Sequence, residues 1–195
     1  LLIQGITIHQ YSGLGSGIKE LDYYVDRVKK NKNIRNRWRN TKTLIIDEIS
    51  MISEDFFEKL DILGQKIRKN NKPFGGLQLI VSGDFLQLPP VKSSGFCFES
   101  FSWDICNFEI FYFDKIIRQD DKKLQSILNK VRLGIIDKDV KKILNSRLNK
   151  EMSNIHGIKP TLLFSRKDMV NDYNEEKLEE LIKKGNEKRE YHSSF

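Results

Sequence analysis

The sequence has no stretch long and apolar enough to cross a membrane. A transmembrane helix needs roughly 20 consecutive apolar residues, and no run in this chain approaches that length. The first residues, Leu1 to Gly5, carry neither the basic region nor the long apolar core of a secretory signal. They also lack an initiating methionine, so we expect an internal piece of a longer protein. No membrane association is expected.

Cysteine is scarce, and its positions exclude two further classes of protein. Cys97 and Cys106 are the only two cysteines, and they lie among aromatic residues without a nearby histidine. This spacing matches no zinc site and argues against a disulfide-stabilised scaffold. We expect buried thiols in a reducing compartment.

A Gly-Lys pair is absent from the whole chain. A phosphate-binding P-loop follows the pattern G-x-x-x-x-G-K-[ST], in which the lysine reaches the terminal phosphates. The glycine-rich segment at residues 11–17 therefore does not qualify as one. We interpret it as a turn between a predicted strand at residues 6–8 and a following helix, with His9 and Ser12 near the rim of a ligand crevice.

Basic residues are in moderate excess. The 195 residues include 34 Lys and Arg against 27 Asp and Glu, which gives a net charge of +7. The stretch from Arg27 to Lys42 is especially basic and has no acid after Asp26. Two interpretations stay open for it: a solvated helix face, or a surface that contacts the phosphates of a polyanion.

The most informative stretch is residues 44–50, where an apolar run ends in two adjacent acids, Asp47 and Glu48. The run predicts a strand of a parallel sheet, covered by helices on both faces. Its acids would lie at the carboxyl end, where open α/β sheets bind their ligands. Asp47 could hold Mg²⁺ on a nucleotide, and Glu48 could orient or deprotonate a water molecule. The alternative is a strand that simply ends in a polar turn.

The next segment predicts a βαβ unit. Ser53 is a suitable N-cap for a helix that continues to about Arg68, and residues 77–81 form an apolar run that ends at Asp84. Strand, helix and strand in this order predict a parallel sheet. Gln87 follows in a loop that Pro89 and Pro90 stiffen, so we expect its side chain to be held beside the crevice.

The remaining elements are predicted from hydrophobic spacing and turn residues. Helices are expected at about 18–30, 34–39, 121–134, 137–148 and 166–185, and strands at 109–113 and 161–164. Residues 93–113 are dense in aromatic side chains, which favours packing of a small subdomain over base stacking against single-stranded nucleic acid.

Several of these segments occur together in a recognisable order. They are residues 6–15 (ITIHQYSGLG), 38–51 (WRNTKTLIIDEISM), 73–79 (PFGGLQL), 83–91 (GDFLQLPPV), 98–100 (FES) and 118–119 (RQ). This order and wording closely resemble the Pif (petite integration frequency) family of superfamily-one DNA helicases, from about Gly5 to about Leu181. The resemblance implies an α/β chain with a RecA-like P-loop NTPase fold, incomplete, of parallel sheet and flanking helices. Residues 1–117 would be a partial first motor domain, and residues 118–195 would begin a second RecA-like domain.

The resemblance also implies roles for individual residues. Asp47 would coordinate Mg²⁺ on ATP, and Glu48 would activate the hydrolytic water. Gln87 would sense the γ-phosphate, and Arg118 would reach it from the cleft between the two motor domains. His9 and Ser12 would lie beside the DNA path of the first domain. The implied activity is 5′→3′ translocation on single-stranded DNA and unwinding at duplex junctions, in repair, recombination, telomere maintenance or replication.

The departures from the family pattern predict a fragment. The glycine-lysine loop should precede the predicted strand at residues 6–8, and the last motifs should follow Ile182. We therefore expect the isolated chain to bind ATP poorly and not to unwind DNA. Two rival functions remain: a non-catalytic DNA-binding remnant, and a metal nuclease built on Asp47, Glu48 and Asp84. An intracellular setting is expected, in the nucleus, the mitochondrion or a site of viral replication.

Overall fold

The computed structural model describes residues 5–91, 95–150, 160–189 and 191. In chain order the described elements are α1 (Ile8–Ser12), α2 (Leu21–Lys30), α3 (Lys32–Asn40), β1 (Thr43–Ile46), α4 (Glu54–Arg68), β2 (Gln78–Val81), α5 (Phe101–Cys106), α6 (Lys122–Arg132), α7 (Lys138–Asn145) and α8 (Lys167–Lys183). Short 3-10 helices cover Ile49–Met51, Pro73–Gly75 and Cys97–Glu99. None of the helices in the described residues is both long and apolar enough to cross a membrane.

The chain divides into two compact units, Leu1–Val140 and Lys141–Phe195. The first contains both strands and the hydrophobic core, and the second contains the end of α7 and all of α8. The predicted boundary between motor domains, after Ile117, stays a prediction, because a compact unit and a functional motor domain need not coincide.

Strands β1 and β2 pair in parallel, as the βαβ pattern predicts. Thr43 lies opposite Gln78 and Ile46 opposite Val81, and α4 connects the two strands in sequence. The prediction of a parallel sheet with flanking helices is confirmed, but within the described residues only one side of β1 is buried. Side chains in β1 alternate between exposed and buried, and Ile45 is 67% exposed, opposite Ile80 at 45%. Part of the apolar run is therefore left exposed by the described residues.

Helix α4 forms the centre of the core. The Ser53 side chain accepts a hydrogen bond from the Phe56 amide, which satisfies one of the free N–H groups at the helix start. Glu54 and Asp55 in the first turn suit the positive end of the helix dipole. Its buried stripe is Phe56, Phe57, Leu60, Leu63 and Ile67. Each such side chain contributes about 1.5–3 kcal/mol when it is buried, so this predicted face holds the unit together.

One acid of α4 faces inward and joins three elements. Asp61 is only 2% exposed. Its carboxylate accepts hydrogen bonds from the Phe74 amide at 2.6 Å, the Ser102 hydroxyl at 2.9 Å and the Gln65 side-chain amide at 2.9 Å. A buried polar group is tolerated when it is hydrogen-bonded in this way. Asp61 therefore fixes the Pro73–Gly75 turn and α5 against α4.

The segment expected as a strand at residues 6–8 begins a helix instead. The Thr7 side chain accepts a hydrogen bond from the Gln10 amide and caps α1, so the capping hydroxyl overrides the β-branched pattern. Gly13 then ends the helix with a φ of 81°, in the left-handed region. The loop after α1 packs on α3, where the fully buried Trp38 donates its indole N–H to the Ser12 carbonyl at 3.1 Å.

The predictions for the remaining helices were right, apart from a few residues at their ends, while two predicted strands are absent. Residues 109–113 and 161–164 are irregular in the described structure. A strand needs a hydrogen-bonded neighbour, and β1 and β2 pair only with each other among the described strands. In the first of these segments Phe111, Tyr112 and Phe113 are exposed.

Candidate active site

The carboxyl ends of β1 and β2 are joined directly by backbone hydrogen bonds. The Ser82 amide donates to the Ile46 carbonyl at 2.9 Å, and the Ile49 amide donates to the Ser82 carbonyl at 2.9 Å. Each strand is followed by acidic residues, so parallel pairing brings the Asp47-Glu48 turn and the loop at Asp84 to one edge of the sheet. This is the edge at which α/β folds bind ligands.

Gly83 makes this close approach possible. A Cβ atom at this position would lie 2.9 Å from both the amide nitrogen and the Cγ2 atom of Ile49. Ile49 is itself buried and starts the 3-10 helix that follows Glu48. A side chain at Gly83 would therefore push the two strand ends apart, and glycine is the residue that permits backbones to approach so closely.

Asp47 and Glu48 are both exposed at the end of β1. The Asp47 Oδ1 atom accepts a hydrogen bond from the Glu48 amide at 2.9 Å, which leaves its other oxygen available. Glu48 has φ 52° and ψ 45°, a left-handed conformation that costs a residue with a side chain roughly 1–2 kcal/mol. Ile49 and Ser50, which follow directly in the chain, are buried and hold the turn in place. Strain of this kind collects at functional positions.

Asp84 organises the loop that carries Gln87. Its carboxylate accepts hydrogen bonds from the Leu86 amide at 3.1 Å and from the Gln87 side-chain amide at 3.2 Å. It also binds the Arg132 guanidinium through both oxygens, at 2.6 and 2.9 Å. The guanidinium holds the pKa of Asp84 far below its ordinary value, helped by the Leu86 and Gln87 donors. Asp84 is therefore an ionised anchor for the loop.

An aromatic cluster supports the same loop from below. The Phe85 ring meets Phe96, Phe98 and Trp103 edge-on, with centroid distances of 5.9, 4.8 and 6.0 Å. Phe96 and Phe98 stack on each other at 5.2 Å. Such aromatic pairs contribute about 0.5–1.5 kcal/mol beyond the area they bury. For the three of these side chains that belong to the aromatic-dense segment, Phe96, Phe98 and Trp103, the packing interpretation was right.

Arg118 lies outside this group of contacts. It is exposed in the irregular segment before α6, and within the described residues no hydrogen bond or ion pair holds its side chain. The neighbouring Gln119 carbonyl accepts a hydrogen bond from the Gln125 side chain in α6.

Sequence reasoning did not identify Arg132, because a basic residue in the last turn of a helix ordinarily indicates only a favourable contact with the helix dipole.

His9 and Ser12 have different surroundings. His9 is exposed in α1, and its ring lies 4.6 Å from the Phe56 ring between centroids. Ser12 is fully buried; its hydroxyl donates to the His9 carbonyl and accepts from the Leu14 amide. A direct contact between DNA and the Ser12 hydroxyl would therefore need this turn to open, whereas His9 is accessible as it stands.

The basic side chains of this stretch fall into two groups, and their contact with phosphates stays a prediction. Arg35, Arg37 and Arg39 donate hydrogen bonds to backbone carbonyls, so these three residues stabilise the fold. The other members are exposed, namely Arg27, Lys29, Lys30, Lys32 and Lys42. These five side chains remain available to an anionic partner.

The nuclease alternative has no support in this geometry. In residues 5–91, 95–150 and 160–189, no group of three or more His, Cys, Asp or Glu side chains could hold a metal ion. Both oxygens of Asp84 are already bound to Arg132. A single carboxylate such as Asp47 still suits Mg²⁺ that arrives with a nucleotide, since this ion commonly binds one or two carboxylates together with phosphates and water.

Comparison with known proteins gives one consistent family. Residues 1–154 match the model of the PIF1-like helicase family. The ATP-dependent DNA helicase RRM3 of Saccharomyces cerevisiae is 41% identical over 185 residues, which cover 92% of this chain and 25% of that protein. The chain thus spans about a quarter of the length of this curated relative.

Two solved structures agree with the sequence comparison and show the RecA-like α/β fold. The Pif1 helicase from Candida albicans matches with a TM-score of 0.85 and 37% identity, over 91% of this chain and 41% of that one. Pif1 from Bacteroides, in complex with ADP-AlF3 and single-stranded DNA, matches with a TM-score of 0.79 and 25% identity, over 95% of this chain and 45% of that one. The chain belongs to the PIF1-like helicase family.

Proposed function

We propose that this chain supplies the hydrolytic part of an ATP-driven DNA helicase motor that moves 5′→3′ on single-stranded DNA and opens duplex junctions. The observation that carries the proposal is the junction of the two strand ends. There, the Asp47-Glu48 turn and the loop of Gln87 are held at one sheet edge by hydrogen bonds through Ser82. Membership in the PIF1-like family supports it.

Each site residue has a distinct task in this proposal. The free oxygen of Asp47 would hold Mg²⁺, which when bound neutralises charge on the β- and γ-phosphates of ATP. Glu48 would orient the attacking water and accept its proton. Gln87 and Arg118 would contact the γ-phosphate, and the planar guanidinium of Arg118 suits the spread charge of the transferring group.

The DNA-binding side is proposed around α1 and the basic stretch. His9 is exposed beside the glycine-rich turn at residues 11–17, and the two hydrogen bonds of the Ser12 hydroxyl stabilise this turn. The exposed side chains of Arg27, Lys29, Lys30, Lys32 and Lys42 would contribute phosphate contacts, so binding would weaken as the salt concentration rises.

The decisive experiment compares Glu48→Gln with the unchanged protein, in a chain extended to the length of its relatives. We expect ATP hydrolysis stimulated by single-stranded DNA to fall by about 10²–10⁴-fold, the usual contribution of a general base. DNA affinity should stay the same. Glu20→Gln is a matched control, because Glu20 is exposed and its side chain makes no capping hydrogen bond.

A non-catalytic DNA-binding remnant is the second candidate, because the exposed side chains of Arg27, Lys29, Lys30, Lys32 and Lys42 could bind phosphates without any hydrolysis. That function predicts equal behaviour of Glu48→Gln and the unchanged protein in every assay. For the isolated 195-residue chain we expect weak ATP binding and no unwinding. Robust turnover by this chain alone, lost in Glu48→Gln, would refute that expectation.

A further inference from the structure

Helix α6 ends in a side chain that binds the proposed active-site loop. Arg132 is the last residue of α6, and its Nε and Nη2 atoms donate to the two carboxylate oxygens of Asp84 at 2.6 and 2.9 Å. The two residues are 48 positions apart in sequence. Such a two-pronged pair fixes the plane of the carboxylate as well as its position.

The same carboxylate determines the shape of the Gln87 loop. Its Oδ1 atom accepts from the Leu86 amide and its Oδ2 atom from the Gln87 side-chain amide, while the Gln87 backbone amide donates to the Asp84 carbonyl at 2.9 Å. Arg132 thus orients an acceptor that in turn orients Gln87. Four hydrogen bonds from three residues leave this carboxylate little freedom to rotate.

The other end of α6 is joined to the segment that contains Arg118. The Asp121 side chain caps the helix by accepting from the Lys123 and Leu124 amides. One turn into the helix, the Gln125 side chain donates to the Gln119 carbonyl, next to Arg118. An α-helix of the 11 residues in α6 is about 16 Å long and stiff.

We propose that Arg132 is a positioning residue, which fixes the Gln87 side chain through Asp84 and makes α6 a rigid connection between the Gln87 loop and the Arg118 segment. The roles given to Gln87 and Arg118 rest on the function proposed above; the connection itself does not. Since one helix holds both segments, a movement of the Arg118 segment reaches the Gln87 loop. Removing the Arg132 guanidinium releases the Gln87 loop without changing any side chain assigned to the reaction.

The test uses the 15N-labelled 195-residue chain without nucleotide, so that it does not depend on hydrolysis. NMR follows the side-chain amide signal of Gln87, the solvent exchange of the Leu86 amide, and backbone order parameters in α6. In Arg132→Gln we expect the Gln87 side-chain signal to shift and the α6 order parameters to fall. The solvent exchange of the Leu86 amide should rise about five-fold, which corresponds to the loss of a partly exposed ion pair. Arg132→Lys restores part of the effect, because an ammonium is a point charge without the fork.

Lys130→Gln is the matched control, since it removes a neighbouring ion pair of the same helix end, Lys130 with Asp137 at 2.6 Å, away from the loop. Its Gln87 and Leu86 signals should stay unchanged. The proposal is overturned if Arg132→Gln leaves these signals unchanged, or if Lys130→Gln changes them equally. Should Arg132→Gln fail to fold, Asp84→Asn carries the test, and a Gln87 signal unchanged there also overturns the proposal. The two proposals can fail separately. If Glu48→Gln hydrolyses ATP as fast as the unchanged protein while Arg132→Gln shows a mobile Gln87 loop, only the proposed function is contradicted.

Discussion

Gly83→Ala tests whether close contact between the strand ends builds the site. The new methyl group would lie 2.9 Å from the Ile49 amide nitrogen and 2.9 Å from its Cγ2 atom. Overpacking of this kind costs about 1–3 kcal/mol, while replacing glycine stiffens the unfolded chain and returns about 0.4–1 kcal/mol. We expect a net loss of about 1–2 kcal/mol, which is roughly a 5- to 30-fold fall in the ratio of folded to unfolded protein.

Urea unfolding followed by tryptophan fluorescence measures this loss, because Trp38 is fully buried in the same unit. The Asp47 and Glu48 amide signals should shift as well, since the methyl group pushes on the turn they form. Gly5→Ala is the control, because nothing lies within 4 Å of a Cβ atom there. Equal unfolding midpoints for both variants, with unshifted Asp47 and Glu48 signals, would show that the strand ends do not depend on Gly83.

Two further predictions concern buried and ionised acids. Asp61→Ala leaves the buried Phe74 amide without an acceptor, so we expect a loss of roughly 2–4 kcal/mol in the free energy of unfolding; a loss below the effect of an ordinary surface substitution, about 0.5 kcal/mol, would contradict this role. The pKa of Asp84 is lower in the folded protein than in the unfolded chain. Its ionised carboxylate therefore stabilises the fold fully above the ordinary carboxyl range near pH 4. This contribution is lost as the pH falls toward the folded-state pKa. Urea midpoints at pH 5, 4 and 3 should therefore fall more steeply for the unchanged chain than for Arg132→Gln, and parallel curves would refute this.

The sequence was most informative where local and tertiary requirements agree. The Ser53 cap and the apolar spacing of α4 predicted its start and end, because capping and one-sided burial act within the helix itself. The apolar runs at residues 44–46 and 77–81 predicted two strands, and the intervening helix implied their parallel pairing.

Local pattern failed where a competing interaction or a missing neighbour decided the outcome. At Thr7 the side chain caps a helix, which a β-branched run alone does not reveal. Residues 109–113 have strand composition, but among the described residues no strand lies beside them to complete the hydrogen bonds. Exposure of Ile45 and Ile80 follows from the same shortage of packing partners in the described residues.

The sequence by itself determined the strand-helix-strand order of β1, α4 and β2, the strand-end acids and the family resemblance, because each is written in contiguous residues. Only the tertiary structure decided that Gly83 lets the strand ends touch, that Glu48 has a left-handed backbone, that the Ser12 hydroxyl is buried, and that Arg132 binds Asp84 from 48 positions away. These facts depend on distances between segments that are remote in the chain, and no local pattern of residue types encodes such distances.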